Sequence, residues 1–180
     1  MSEGNYFIDE SHSFLFSTFG PYVSKPLGAY LALRQPEMRN RYVEDAALKI
    51  PFIEVAQRCT MWERYLREHP RSALRSDAEY RYRSYLAILL EGMNDRSVLD
   101  EWSDDPKWQR EIEGVYGYII KDYGETRTGQ LITAYYSLVK RTGFKRTPEV
   151  EQFLEAHKSE YTAKRSQSCY PDFGSVVAPE

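Results

Sequence analysis

Cysteine is nearly missing from this chain: Cys59 and Cys169 are the only two in 180 residues. Two thiols are too few for a disulfide-stapled scaffold or a structural zinc site. Cys59 falls on an apolar helical stripe, where a thiol behaves as a small buried hydrophobe. Cys169 lies in an expected tail and is either free or crosslinked. Histidine is equally scarce, with His12, His69 and His157 far apart. HExxH, paired CxxC, GxSxG and phosphate-loop patterns are all missing. The sequence therefore names no catalytic residue, no metal ligand set and no cofactor. The longest candidate for a targeting signal, Phe14 to Val23, is interrupted by Gly20 and Pro21 and follows no basic region, so neither a signal peptide nor a membrane span is expected. The compartment stays open, because an exported chain with its signal removed would read the same. Excess positive charge is missing as well. A net charge of −3 disfavours a dedicated nucleic-acid binder, whose phosphate contacts demand basic excess.

What the chain has in quantity is aromatic side chains: 15 Tyr, 8 Phe and 3 Trp. Tyrosine joins a large apolar ring to a hydroxyl that needs a partner, so it suits half-buried helix faces and binding surfaces. At this length a single domain buries roughly two thirds of the surface its unfolded chain exposes, and no metal or disulfide is needed to hold it.

The apolar pattern is helical. Phe52, Val55, Ala56, Cys59, Trp62 and Leu66 recur at three and four residues, and so share one helix face. Tyr82, Tyr85, Leu86, Leu89 and Leu90 form a second stripe ending near Gly92. A third is Trp108, Ile112, Val115, Ile119 and Tyr123, ended by Gly124. Leu131, Tyr135, Leu138 and Val139 make a fourth, ended by Gly143. Thr147, Pro148 and Glu149 are a cap, a preset φ and a first-turn carboxylate in order, and they open a helix carrying Val150, Phe153, Leu154, His157 and Tyr161. Ser76 with Glu79 predicts a capping box. Met38, Tyr42, Val43, Ala46, Ala47 and Ile50 predict a helix broken at Pro51, and the polar stretch from Asn94 to Lys107 predicts a short helix plus a connection. The fold class expected is all-α, either an irregular antiparallel bundle or a short, α-solenoid-like array of helical hairpins. Residues 1–38, punctuated by Gly20, Pro21, Pro26, Gly28 and Pro36, are expected as an aromatic strap of little regular structure, with a short helix around Leu27 to Leu33. Residues 39–163 form the helical domain, and 164–180 a flexible tail.

Two stretches share a layout. Trp62 to Ser72 followed by Ala78 to Tyr85, and Tyr116 to Thr126 followed by Leu131 to Val139, each read as a helix, a tight turn and a second helix with tyrosines. The segment Tyr65-Leu66-Arg67-Glu68-His69-Pro70-Arg71-Ser72, with Ala78 and Tyr82 beyond it, resembles the texture of tetratricopeptide-like repeats in bacterial envelope assembly proteins. His69 replaces the usual aromatic, and the second stretch lacks the proline. The resemblance implies stacked helix pairs with a concave surface that holds a peptide or a partner helix.

Chemistry-bearing clusters are few. Gly124-Glu-Thr-Arg-Thr-Gly129 precedes a helix and has an anion-loop flavour, but a C-cap glycine, a turn and a new N-cap account for it. Asp100, Glu101, Asp104 and Asp105 lack the glycine and spacing of a calcium loop and read as a solvated connection. His157 reads as a residue at the edge of the core. The most suggestive feature is basic: Arg64, Arg67, Arg71, Arg75, Arg81 and Arg83 crowd the first hairpin among Tyr80, Tyr82 and Tyr85. Lys140, Arg141, Lys145 and Arg146 cluster beyond the second. Arg with Tyr grips carboxylates and phosphates through bidentate bonds and stacking. Glu63, Glu68, Asp77 and Glu79 lie at pairing distance and would neutralise part of it.

The leading expectation is a non-enzymatic interaction module for a protein or peptide partner, contacted by Arg64, Arg67, Arg71, Tyr80, Arg81, Tyr82, Tyr85, Tyr135 and Tyr136. On that reading, alanine at Arg81 and Tyr85 together would weaken the partner without unfolding the chain. The alternative is a small-ligand binder or enzyme with an aromatic-lined pocket between helices.

Overall fold

Residues 12–93, 96–99 and 106–163 are described by the computed structural model, and they hold seven α-helices and two minimal strand pairs. In chain order these are α1 (His12–Phe19), a 3-10 turn (Gly20–Tyr22), α2 (Lys25–Arg39), β1 (Val43–Glu44), β2 (Ala47–Leu48), α3 (Phe52–Glu68), α4 (Arg75–Glu91), β3 (Gly92–Met93), β4 (Arg96–Ser97), α5 (Pro106–Tyr123), α6 (Arg127–Arg141) and α7 (Pro148–Tyr161). The expected all-α class holds. Among the described residues, no helix is long and apolar enough to cross a membrane.

The centre is the α3–α4 hairpin, whose facing stripes are those read from periodicity: Phe52, Val55, Ala56, Cys59 and Trp62 against Tyr82, Tyr85, Leu86, Leu89 and Leu90, all buried. Its turn is closed by Tyr65, whose hydroxyl sits 2.7 Å from Ser72 Oγ and donates to Pro26 O. A second hairpin, α5–α6, packs on it through Trp108, Ile112, Tyr116 and Ile119 with Ile132, Tyr135 and Val139. Its aromatic rings meet edge to face, a favoured arrangement for opposed quadrupoles: Phe52 with Trp108 at 5.0 Å, and Tyr116 with Tyr136 at 5.5 Å. Helix α7 closes over α4 and α6. Thr147 caps it by accepting from Val150 N, and Thr126 caps α6 by accepting from Gly129 N. The Thr147 start falls where the sequence placed it, and the new N-cap expected within Gly124–Gly129 is Thr126.

Three local expectations are corrected. The segment 12–39 is largely helical rather than a strap of little regular structure, and the short helix expected around Leu27 to Leu33 is part of the longer α2. Pro26 occupies the first turn of α2, where a missing amide costs nothing, and Pro36 falls one turn before its end. Helix α2 shows no apolar stripe because one of the residues it buries is Glu37. Phe14, Phe19 and Tyr22 remain exposed.

Of the helix expected over Met38 to Ile50, Met38 falls in the last turn of α2 and the rest is built around the β1–β2 hairpin, with Val43 paired to Leu48 and Glu44 to Ala47. Its two turn residues, Asp45 and Ala46, have φ of 49° and 62°, the left-handed pair that a tight hairpin turn demands. Only Leu48 and Ile50 of the apolar positions from 42 onward are buried there.

The Ser76–Glu79 capping box does not form. Helix α4 starts two residues earlier, Leu74 stands at its N-cap without a side-chain bond, and Glu79 pairs with Arg75 at 2.7 Å. The carboxylates Asp100, Glu101, Asp104 and Asp105, Cys169 and the tail expected over 164–180 lie outside the described residues.

Candidate functional site

The arginines and tyrosines of the first hairpin divide into an internal set and an external set. The internal set is organised by Glu37, which is only 5% exposed. One carboxylate oxygen accepts from Trp62 Nε1 at 2.6 Å and from the Tyr85 hydroxyl at 2.9 Å. The other accepts from Arg34 at 2.5 Å and Arg81 at 3.3 Å. Arg81 also binds Asp77 through two nitrogens and lies 5.8 Å over the Trp62 ring. Asp77 accepts from Tyr30, and Arg58 joins Glu54, Tyr85 and the carbonyl of Asn40. Three guanidiniums thus meet three carboxylates, the arrangement that buried charge requires. Burial disfavours the charge on Arg81, but Tyr30, Asp77 and Glu37 around it outweigh that and raise its pKa. Burial and the nearby Glu37 charge push the Tyr85 phenol up. This network locks α2 onto the α3–α4 hairpin.

Arg81, Tyr82, Tyr85 and Tyr135 were expected to reach a partner, and the structure turns them inward. Tyr85 is 1% exposed and Tyr135 0%, with the Tyr135 hydroxyl given to Leu90 O. Tyr80 is half-buried on α4. Tyr136 is half-buried against Tyr116 and Phe144, with Lys140 5.6 Å from its ring centroid. Arg64, Arg67 and Arg71 are exposed.

The external set opens into a cleft of about 290 Å³ where the hairpin meets α6 and α7, walled by Arg67, Arg75, Arg83 and Arg127 with Glu63, Glu79 and Glu160. Tyr82 lies at its base, with Thr128 donating to the Tyr82 hydroxyl at 3.2 Å. Each carboxylate of the cleft is already engaged. Glu63 accepts from the backbone amides of Arg127 and Thr128, so it occupies the anion position at the N-terminus of α6. Glu79 holds Arg75. Glu160 accepts from Arg127 at 2.9 Å and contacts His157 Nδ1 at 2.9 Å. Partial burial would lift the Glu160 carboxyl, but the bonds from His157 and Arg127 prevail and hold it below the usual carboxylate range. Two guanidiniums are left over: among the described residues neither Arg67 nor Arg83 meets a carboxylate, Arg83 touching only the carbonyl of Thr162.

Beneath this cleft Cys59 is fully buried beside Thr128, and burial pushes its thiol well up, which removes the thiolate needed for reactivity. The Gly124–Gly129 loop is the tight turn between α5 and α6, its amides directed to Tyr123 O, Thr126 and Glu63. No group of three His, Cys, Asp or Glu side chains suited to a metal ion occurs among the described residues. Of the cleft arginines, Arg67, Arg75 and Arg83 belong to the basic crowd visible in the sequence. Arg127, Ser159 and Glu160 were missed, because their helices carry no local mark that α6 and α7 converge on the first hairpin.

Comparison with known protein families, with curated proteins and with solved structures finds nothing that matches this chain.

Proposed function

We propose that this chain is a non-enzymatic helical interaction module that binds a protein or peptide partner in the cleft between the α3–α4 hairpin and helices α6 and α7. The observation that carries this reading is the pair Arg67 and Arg83, which face an open cleft and, among the described residues, meet no carboxylate, while the cleft's own carboxylates are engaged elsewhere. Pockets for small organic ligands are mostly apolar and run upward from about 300 Å³. A charged cleft at the bottom of that range suits a few side chains of a larger partner. On this reading the two hairpins α3–α4 and α5–α6 are units of a short tetratricopeptide-like array.

The test is quantitative affinity purification with the double variant Arg67→Glu/Arg83→Glu beside Arg64→Glu/Arg71→Glu, whose sites lie outside the cleft. The partner is expected to be lost from the first pair alone, with an unchanged helical circular-dichroism spectrum for both. Equal retention by both pairs would refute the cleft as the binding surface.

A further inference from the structure

The charges left over in the cleft come from two helices that run in opposite directions. The Cys59 thiol donates to Tyr82 O and Arg58 to the Tyr85 hydroxyl, so α3 and α4 are antiparallel and Glu63 stands near the level of Glu79. A helical side chain leans toward the N-terminus of its own helix, over the turn before it. Arg67 therefore leans along α3 toward Glu63, and Arg83 along α4 toward Glu79. The two guanidiniums approach one level of the cleft from opposite directions, and both line it.

The cleft's carboxylates are already answered: Glu79 by Arg75, Glu160 by Arg127, and Glu63 by the amides at the start of α6. Arg67 has no ion pair among the described residues, and Arg83 gives one nitrogen to Thr162 O at 3.4 Å. Two positive charges are thus left in one cleft of a chain whose net charge is −3. Two hydroxyls of the same lining also have a proton to give. Ser159 makes no hydrogen bond among the described residues, and Tyr82 accepts from Thr128 but donates to nothing there.

This surplus fits one kind of anion. A carboxylate carries a single charge and two oxygens, which one guanidinium fork satisfies. A phosphate monoester carries a charge of about −1.5 to −2 at neutral pH and three acceptor oxygens, so it can take both forks and cancel both charges. Clustered arginines are the usual receptor for a phosphorylated side chain.

Resting on the partner-binding function above, we infer that the cleft recognises a phosphorylated side chain of the protein partner, its phosphate shared between Arg67 and Arg83 with the Ser159 hydroxyl as a further donor. Arg75 and Arg127 stay in their ion pairs and shape the walls.

The test presents the immobilised full chain with degenerate peptide libraries whose central residue is fixed as phosphoserine, phosphotyrosine, serine, tyrosine or glutamate. At least one phosphorylated library should be retained roughly tenfold or more above its unphosphorylated twin and above glutamate. Arg67→Gln and Arg83→Gln should each lose most of that excess, because both guanidiniums hold one group. Arg64→Gln/Arg71→Gln, outside the cleft, should keep it, and all variants should keep the helical circular-dichroism spectrum. Inorganic phosphate should compete only at far higher concentration than the selected peptide. Retention no better than that of glutamate, an excess that survives loss of either arginine, or free phosphate competing as well as the peptide would overturn the inference. Phosphatase treatment of the native lysate before affinity purification separates it from the function it rests on. A partner lost on treatment upholds the inference. A partner that survives treatment but is lost on Arg67→Glu/Arg83→Glu would leave the interaction cleft standing and remove the phosphate from it.

Discussion

Glu37 on α2 accepts the indole N–H of Trp62 on α3 at 2.6 Å, and both side chains are sealed from solvent. The same carboxylate takes the Tyr85 hydroxyl and two guanidiniums. Removing it would leave Trp62, Tyr85 and Arg34 without their carboxylate acceptor and Arg81 with Asp77 alone, the costliest way to break a buried ionic network. Glu37→Ala should therefore destabilise the chain by about 3–5 kcal/mol, read from the urea midpoint. An effect comparable to that of a surface glutamate would show that the network is solvated.

Tyr85 is a core residue, contrary to the expectation that it meets a partner. Tyr85→Phe removes the bonds to Glu37 and Arg58 while keeping the ring, and should cost about 1–3 kcal/mol. Tyr85→Ala should cost about 3–5 kcal/mol, as large-to-small aromatic changes in cores do. Equilibrium denaturation of both variants checks this, and the double alanine variant at Arg81 and Tyr85 should unfold rather than merely lose a partner.

Gly129 packs so closely that a Cβ there would collide with the backbone carbonyl of Tyr123. Gly114, within α5, has open space around it. Gly129→Ala should lower the melting temperature strongly by parting α5 from α6. Gly114→Ala should raise stability by up to about 1 kcal/mol, the helix-propensity gain. Calorimetry of the two variants separates packing from propensity, and similar behaviour would contradict the tight turn.

Glu160 links α7 to α6 through Arg127, and its pKa is lowered in the folded chain. A carboxylate lowered on folding contributes stability that is complete above its unfolded value, near 4.5, and that disappears as pH falls through the lower folded value. Glu160→Gln should therefore be less stable than the parent at pH 7, and the two should converge in acid. Urea midpoints at several pH values check the sign, and a gap that widens on acidification would contradict it.

The parts of the fold that could be read from sequence were those in which burial and periodicity agree. The α3 stripe from Phe52 to Trp62, the α5 stripe from Trp108 to Ile119, and the Thr126 and Thr147 caps each declare themselves within a few residues. Helix α2 did not, because its buried face includes Glu37, whose partners Trp62, Arg81 and Tyr85 are distant in sequence. The β1–β2 hairpin hid behind apolar residues at helical spacing, and its turn uses Ala46 at positive φ instead of glycine. For the candidate site, the basic crowd on the first hairpin was legible but its division was not. Whether Arg81 turns inward and Arg83 outward depends on where α2 and α7 dock, which no local pattern encodes.

The most direct test of the interaction cleft is site-specific photocrosslinking in the native host, with the probe placed either at Ser159, on the cleft wall, or at Met61, exposed on α3 away from it. Protein adducts should form from position 159, be absent from position 61, and disappear when Arg67→Glu and Arg83→Glu are added. Equal adducts from both positions, or adducts at 159 indifferent to those substitutions, would contradict the account.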